Sequence, residues 1–271
     1  MGSLRAKQAS YIEIVKAIQA GALQPLTRDD LVWAEAFIHN YSMFTTAEVQ
    51  AWLKRRYCDS ACELFLPFDE TSGQSAFDLS GNGNTGTATG TTIVDGVFGK
   101  ARSFNGSSDF VDCGSGASLD ILSKFTFEAW IKRGADKNSY IFDQRVSGVI
   151  HGYLAGIYQA DNLVAFMVEG GSGGLKVKSS SVIPLDEWKY IGLVNNNKAV
   201  SIYIDGKLDN TGAFSENPST GTKDTQIGRY FGAGDYWFQG LIDEPRIYSR
   251  ALSADEMYLH YLAGALKLGL I

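Results

Sequence analysis

Two periodicities divide the chain. Over residues 1 to 60, apolar positions fall at helical spacing: Ile12, Val15 and Ile18, then Leu31, Ala34, Phe37, Ile38 and Tyr41, then Val49, Trp52 and Leu53. Gly21 and Pro25 end the first of these segments. Thr27 with Asp30 and Thr45 with Glu48 have the form of capping boxes opening the second and third. Three short helices hold little core of their own. They are expected to pack together, and onto the body that follows or a neighbouring subunit. From Glu63 the period shortens to two. In FTFEAWIK (125–132), Phe125, Phe127, Ala129 and Ile131 alternate with Thr126, Glu128, Trp130 and Lys132. WKYIGLV (188–194) and AVSIYID (199–205) follow, joined by a polar turn, and Asp205-Gly206 is a further tight turn. Strand-like runs also occur at 64–68, 101–105, 109–112, 139–143, 152–158, 163–168 and 236–249. Many short strands with Gly-rich turns and no helices between them predict a sandwich. Ser253 with Glu256 is a fourth capping box, opening a helix over about Ala254 to Leu266. The apolar tail, 263–271, is too short to cross a bilayer and serves either as a dock for the N-terminal helices or as a subunit contact.

Composition narrows the partners. Of 271 residues, 45% are hydrophobic and 20% charged, enough for a substantial core. Thirty glycines against five prolines fit a turn-rich β body. The net charge of −6 and the lack of any Lys/Arg-rich run argue against nucleic acid as a partner. Three cysteines give no disulfide framework. No run is long enough for a membrane span, and Glu13 and Lys16 interrupt the first apolar stretch, so no signal peptide is supported and cytoplasmic synthesis is expected.

Several separated segments carry a family resemblance. LFLPFDETSGQSAFDLSGNGNTG (64–86), FGKARSFNGSSDFVDCG (98–114), FTFEAWIK, DEWKYIGLV (186–194), VSIYIDGKL (200–208), QIGRY (226–230) and FQGLIDEPRIYSRALSADEM (238–257) occur in that order. Together they resemble the laminin G-like jelly roll of the concanavalin A-like lectin/glucanase superfamily, over roughly residues 63 to 262. The resemblance implies a mainly β fold: a two-sheet antiparallel jelly-roll sandwich. The domain plan is then an N-terminal helical extension (1–60) for anchoring or oligomerisation, the sandwich with its C-terminal helix (61–262), and the apolar tail. Lectins, adhesion modules and glycosidases share this fold, so function must be argued from the site.

Asp243 and Glu244 are adjacent in a strand-like run, and adjacent strand residues point to opposite faces. A carboxylate among apolar strands is costly, and a bound cation offsets that cost. The ligands at hand are oxygens, a set that suits Ca²⁺. The resemblance implies a structural Ca²⁺ held by Asp243 on the last long strand, by an early acid, Asp69 or Asp78, and by the Gly106 carbonyl, with Asn82 and Asn84 as further oxygen donors. The alternative is that Asp78 and Asn82 simply organise turns and Asp69 caps a strand. Pro245 places this part of the strand at an edge or bulge. Arg246 is positioned to pair with Glu244, which at a surface is worth ~0–1 kcal/mol.

Local catalytic runs, a GxSxG elbow among them, are missing from the sequence, which leaves a glycoside hydrolase or a Ser–His–Asp triad assembled from distant residues as the lesser alternative. The retaining glucanases of this fold carry Glu-x-Asp-x-x-Glu on one strand, and no such run occurs; Glu128 stands by itself in FTFEAWIK. His39, His151 and His260 have no metal-ligand spacing, and GGSGG (170–174) lacks a phosphate-loop lysine. The reading is therefore a non-enzymatic binding or adhesion module, Ca²⁺-stabilised, that recognises a glycan or a protein surface ligand. GRYFGAGDYWFQG (228–240) supplies the candidate ligand residues: Tyr230, Phe231, Asp235, Tyr236 and Trp237, with Phe238 turned inward. Tyr153 and Tyr158 mark a second candidate surface. A second class of function rests on the helices at both ends: a structural component of a virion or other assembly, oligomerised through residues 1–60 and the C-terminal helix.

Overall fold

The computed structural model describes residues 58–145, 152–169, 175–218, 224–230 and 236–270. The three helices expected within residues 1 to 60 lie outside this set. One unit spans Asp59–Leu252. Its strands are β1 (Cys62–Phe65), β2 (Ser75–Ala76), β3 (Gly86–Thr89), β4 (Thr92–Asp95), β5 (Lys100–Asn105), β6 (Phe110–Asp112), β7 (Lys124–Arg133) and β8 (Ser139–Arg145). They continue with β9 (Gly152–Tyr158), β10 (Leu163–Glu169), β11 (Leu175–Val182), β12 (Trp188–Asn196), β13 (Ala199–Ile204), β14 (Lys207–Ala213), β15 (Asp224–Ile227) and β16 (Gln239–Tyr248).

All strand pairs are antiparallel and form two sheets. The first runs β14-β13-β12-β7-β16-β5-β4, with β1 also on β16; the second runs β11-β10-β9-β8-β15-β6-β3-β2. This is the expected jelly-roll sandwich. The core is an aromatic stack between the sheets. On β7, Phe127 stacks on Phe142 of β8 at 4.8 Å, and Phe125 lies 4.1 Å from Tyr153 of β9 and 6.0 Å from Phe166 of β10.

Alternation on β7 points Phe125, Phe127, Ala129 and Ile131 into this core, as the sequence pattern predicts. Thr126, Glu128 and Trp130 take the opposite face and are buried too. The pattern on β7 thus separates two buried faces rather than core from solvent. The turns also follow their residues. Asn197 and Lys198 both have positive φ (50° and 78°) in the two-residue β12–β13 connection, and Asp205-Gly206 (50° and 71°) makes the β13–β14 turn.

At its centre β16 departs from regular pairing. Ile242 sits opposite Ile131 and Ile247 opposite Phe127, so five steps on β16 match four on β7. Both isoleucines reach the core only because a bulge between Asp243 and Arg246 takes up the extra residue. Glu244 supplies the turn with φ 55°, and Pro245, which has no N–H to donate, offers its carbonyl to the Leu66 N–H at 3.1 Å. Pro245 therefore occupies a bulge in a strand flanked on both sides.

In the C-terminal segment, α1 (Ala254–Leu268) begins with the expected capping box. The Glu256 N–H donates to Ser253 Oγ at 3.3 Å, while the Ser253 N–H donates to Glu256 Oε2 at 2.8 Å.

Because Phe127 is fully buried in the inter-sheet stack, Phe127→Ala is expected to lower unfolding free energy by about 3–5 kcal/mol in urea titration.

Candidate functional site

Two places concentrate chemistry, one on the outer side of each sheet. On the second sheet, the residues facing away from the core are Leu154, Gly156 and Tyr158 on β9 and Leu163, Ala165 and Met167 on β10. Their neighbours Tyr153, Ala155, Ile157, Val164 and Phe166 fill the core. Leu154, Ala165 and Met167 form an apolar floor against which Tyr140, Tyr158 and Tyr230 pack. Tyr140 of β8 stands opposite Gly156, where a Cβ would fall 2.8 Å from the Ser139 carbonyl and 3.3 Å from the Tyr140 ring. The bare backbone there leaves the tyrosine room.

The segment before β16 is fastened to this face by its backbone. The Tyr140 N–H donates to the Tyr236 carbonyl at 3.0 Å, and the Phe238 N–H to the Gly228 carbonyl at 2.8 Å. This brings Tyr230 and Tyr236 onto Tyr140: the three rings lie 4.8, 5.4 and 5.8 Å apart, mostly edge to face. Tyr236 is 36% exposed and Tyr140 and Tyr230 are partly buried, so the cluster is open to solvent without being loose. Trp237 joins a neighbouring group with Phe110, over whose ring the Arg229 guanidinium sits at 4.0 Å. Phe238 turns into the core, as expected.

Of the ligand residues read from the sequence, Tyr230, Tyr236 and Trp237 are thus near one another, while Phe231 and Asp235 lie outside the described residues. Tyr140 was missed, because an isolated tyrosine at a strand start carries no signal until the 236–238 segment pairs with it. Tyr153 is no surface residue. It is buried in the aromatic stack, donates its hydroxyl to the Leu122 carbonyl at 2.7 Å and accepts from Asn195 Nδ2 at 2.9 Å. Burial raises its phenol pKa well above the ordinary range.

The second place is the β16 bulge. Asp243 turns toward the β4–β5 connection, where the Phe98 N–H donates to its Oδ2 at 2.9 Å. Gly96 makes the approach feasible, since a Cβ there would lie 2.6 Å from that oxygen. Asp69 reaches the same connection from the other end: its Oδ1 accepts from the Lys100 N–H at 2.9 Å and crowds Gly99. Asp243 is fully buried and its Oδ1 has no hydrogen-bond partner. Burial first, then the charge of Glu244, holds its pKa well above the usual carboxylate range; Asp69 adds to this.

Glu244 goes the other way, to the Arg246 guanidinium, which also donates to Glu128 Oε1 at 3.0 Å. The Tyr190 hydroxyl donates to Glu128 Oε2 at 2.6 Å. The anticipated Glu244–Arg246 pair therefore exists, but as part of a buried network, and Glu128 belongs to it. Burial disfavours the Arg246 charge, yet Glu244, Tyr248 and Glu128 outweigh it and the net pKa shift is upward.

The remaining metal-ligand residues read from the sequence are engaged elsewhere. Asp78 accepts from the N–H groups of Phe65, Ser80 and Asn84 at 2.9–3.0 Å, and from Ser80 Oγ at 2.8 Å, which is the turn-organising alternative. Asn82 donates its side-chain amide to the Cys62 carbonyl at 3.0 Å, and Asn84 donates to Glu63. The Gly106 carbonyl accepts from the Lys137 ammonium at 2.6 Å. Among the described residues no three His, Cys, Asp or Glu side chains converge as a metal cluster. The orphaned Asp243 oxygen beside Asp69 nonetheless fits a hard cation completed by backbone carbonyls.

A jelly-roll sandwich with an aromatic outer face and a buried acid on its last strand belongs to a known class. The family model described as the concanavalin A-like lectin/glucanases superfamily, of laminin G type, matches residues 105–257. The chain belongs to that family. No curated protein sequence matches it. Among solved structures, the binding domain of Paraclostridial Mosquitocidal Protein 1 superposes with a TM-score of 0.63 at 17% identity, over 75% of this chain and 52% of that one. Domain 4 of AbnA, a GH43 extracellular arabinanase from Geobacillus stearothermophilus in complex with arabinotriose, gives 0.60 at 23%, over 73% and 96%. A botulinum neurotoxin type C structure, whose cell entry depends on two ganglioside molecules, gives 0.60 at 17%, over 77% and 52%. The chain thus spans about half the length of these toxin chains, and at such identities the likeness is one of fold.

A carboxyl whose folded pKa lies above its unfolded value stabilises the fold fully below the unfolded value, and that contribution is lost as pH rises through the folded value. With a chelator present, the urea midpoint is therefore expected to fall from about pH 4 upward, and Asp243→Asn to flatten that slope.

Proposed function

We propose that this chain is a non-catalytic binding module that takes a carbohydrate on the outer face of its second sheet. The observation that carries this reading is the solvent-open cluster of Tyr140, Tyr230 and Tyr236 over the Leu154–Met167 floor. Aromatic faces stack on the CH face of a sugar ring, and phenol hydroxyls serve the sugar hydroxyls at its rim. Rings braced edge to face lose little freedom on binding, which favours affinity. The arabinotriose held by the arabinanase domain and the gangliosides named for the neurotoxin support a saccharide as the class of ligand.

The acids support binding over hydrolysis. Glu128 and Glu244 are tied to one guanidinium in a buried network. Held in that way, these two carboxyls are not placed to flank a glycosidic bond. At Asp243 a Ca²⁺ ion would be held by Asp243 and Asp69, supplying positive charge to two acids at the junction of β16 with the β4–β5 connection. Its role is structural, since this junction lies on a different sheet from the tyrosines.

Two measurements test the proposal. On a glycan array with the full chain, a bound saccharide should lose roughly tenfold or more in affinity in the Tyr230→Ala/Tyr236→Ala variant at unchanged Tm. Saccharide binding indifferent to that change, or none at all, contradicts the reading. Ca²⁺ at a hundredfold excess over its Kd should add about 2.7 kcal/mol of stability, a Tm rise of several degrees that Asp243→Asn abolishes.

A further inference from the structure

We propose that the β11 end of the aromatic face is an anion pocket, so that its ligand is an acidic saccharide bearing a carboxylate or sulfate. The proposal rests on the reading of this face as a carbohydrate surface. Register fixes the geometry: Lys176 pairs with Met167 and Lys178 with Ala165, so both lysines lie on the outer side, continuous with the tyrosines. Their ammonium groups sit 4.6 and 4.9 Å from the centroid of one ring, Tyr158. That ring is itself anchored, its hydroxyl on Met167 Sδ at 3.2 Å.

Among the described side chains the charge at this spot is unbalanced. Two ammoniums crowd one ring, and the carboxylate bonded to them is Asp161, which pairs with Lys178 and is 34% exposed. Asp143, opposite Leu154 and therefore on the same outer side, is buried on β8, two strands across from β10, and Glu169 ends β10. In a chain of net charge −6, a lysine pair held together over an aromatic ring is a local reversal of sign. A third group carrying negative charge relieves the repulsion between the two ammoniums. Between this pair and Tyr140, Gly156 and Ala165 are buried beneath the tyrosine rings, so the rings themselves form the surface of the face. A sugar ring stacked on these rings between Tyr140 and Tyr158 would present an acidic substituent to Lys176 and Lys178.

The test uses the full chain and calorimetric titration with three probes: an oligogalacturonide (carboxylate), a heparin-derived oligosaccharide (sulfate) and a neutral arabinan oligosaccharide. At low salt at least one acidic probe should bind roughly tenfold tighter than the neutral one, and the advantage should shrink as salt rises. Lys176→Gln/Lys178→Gln should erase that advantage and leave neutral binding and Tm unchanged. Whichever acidic probe keeps the advantage identifies the anionic group. Neutral binding that depends on Tyr230 and Tyr236 without any acidic advantage, or an advantage that survives the lysine variant, overturns the inference while the carbohydrate reading stands. Acidic binding that ignores the tyrosines, or no binding of any probe, overturns both.

Discussion

The bulge in β16 is the constraint on which the rest of this sandwich depends. A strand alternates strictly, so Ile242 and Ile247, five apart, cannot both face the core unless one residue is taken out of register. The bulge at Glu244-Pro245 does this while β7 continues unbroken on the other side. The same displacement sends Asp243 to the turn before β5, Arg246 to Glu128, and the Pro245 carbonyl to Leu66 beyond β1. Early, middle and late parts of the chain thus meet at one irregularity. The buried guanidinium that results is a commitment. Its pairing roughly offsets the desolvation of the charges, but removing a single partner would cost about 3–5 kcal/mol.

This arrangement also divides the work between the sheets. The outer side of β7, β12 and β16 is filled by Glu128, Trp130, Tyr190 and Arg246, buried and mutually bonded. Polar groups fixed in that way have no spare capacity for a ligand. The outer side of β8, β9 and β10 instead keeps partly exposed tyrosine rings over an apolar floor. The rigid first sheet gives β16 its course, and the segment leading into β16 delivers Tyr236 to the second sheet. Packing in one layer therefore sets the placement of the tyrosines on the other.

Much of the fold was legible because two-residue periodicity and turn chemistry are local. Phe125 to Ile131, the Asp205-Gly206 turn and the Ser253–Glu256 cap all took the forms their residues prescribe. Six strands escaped notice, β2, β3, β4, β11, β14 and β15; four of them, β2, β4, β11 and β14, end their sheets, and β11 (LKVKSSSV) and β14 (KLDNTGA) carry few apolar residues because they lie at an edge. The site was legible only in part. Tyr230, Tyr236 and Asp243 stood out by type and place, whereas the neighbours of Tyr140, Glu128 and Tyr158 come from distant segments and depend on register. Asp78 and Gly106 illustrate the converse: both have suitable oxygens, but nearer donors claim them.

The most direct test of the account is urea unfolding of a chain lacking Pro245. Removing one residue lets four steps on β16 match four on β7, which keeps Ile242 and Ile247 in the core but turns Glu244 toward it opposite Ala129 and takes away the Pro245 carbonyl that holds Leu66. The account predicts a loss of at least about 4 kcal/mol, or no cooperative transition at all. A midpoint and slope within error of the intact chain would show that this sandwich does not depend on the bulge.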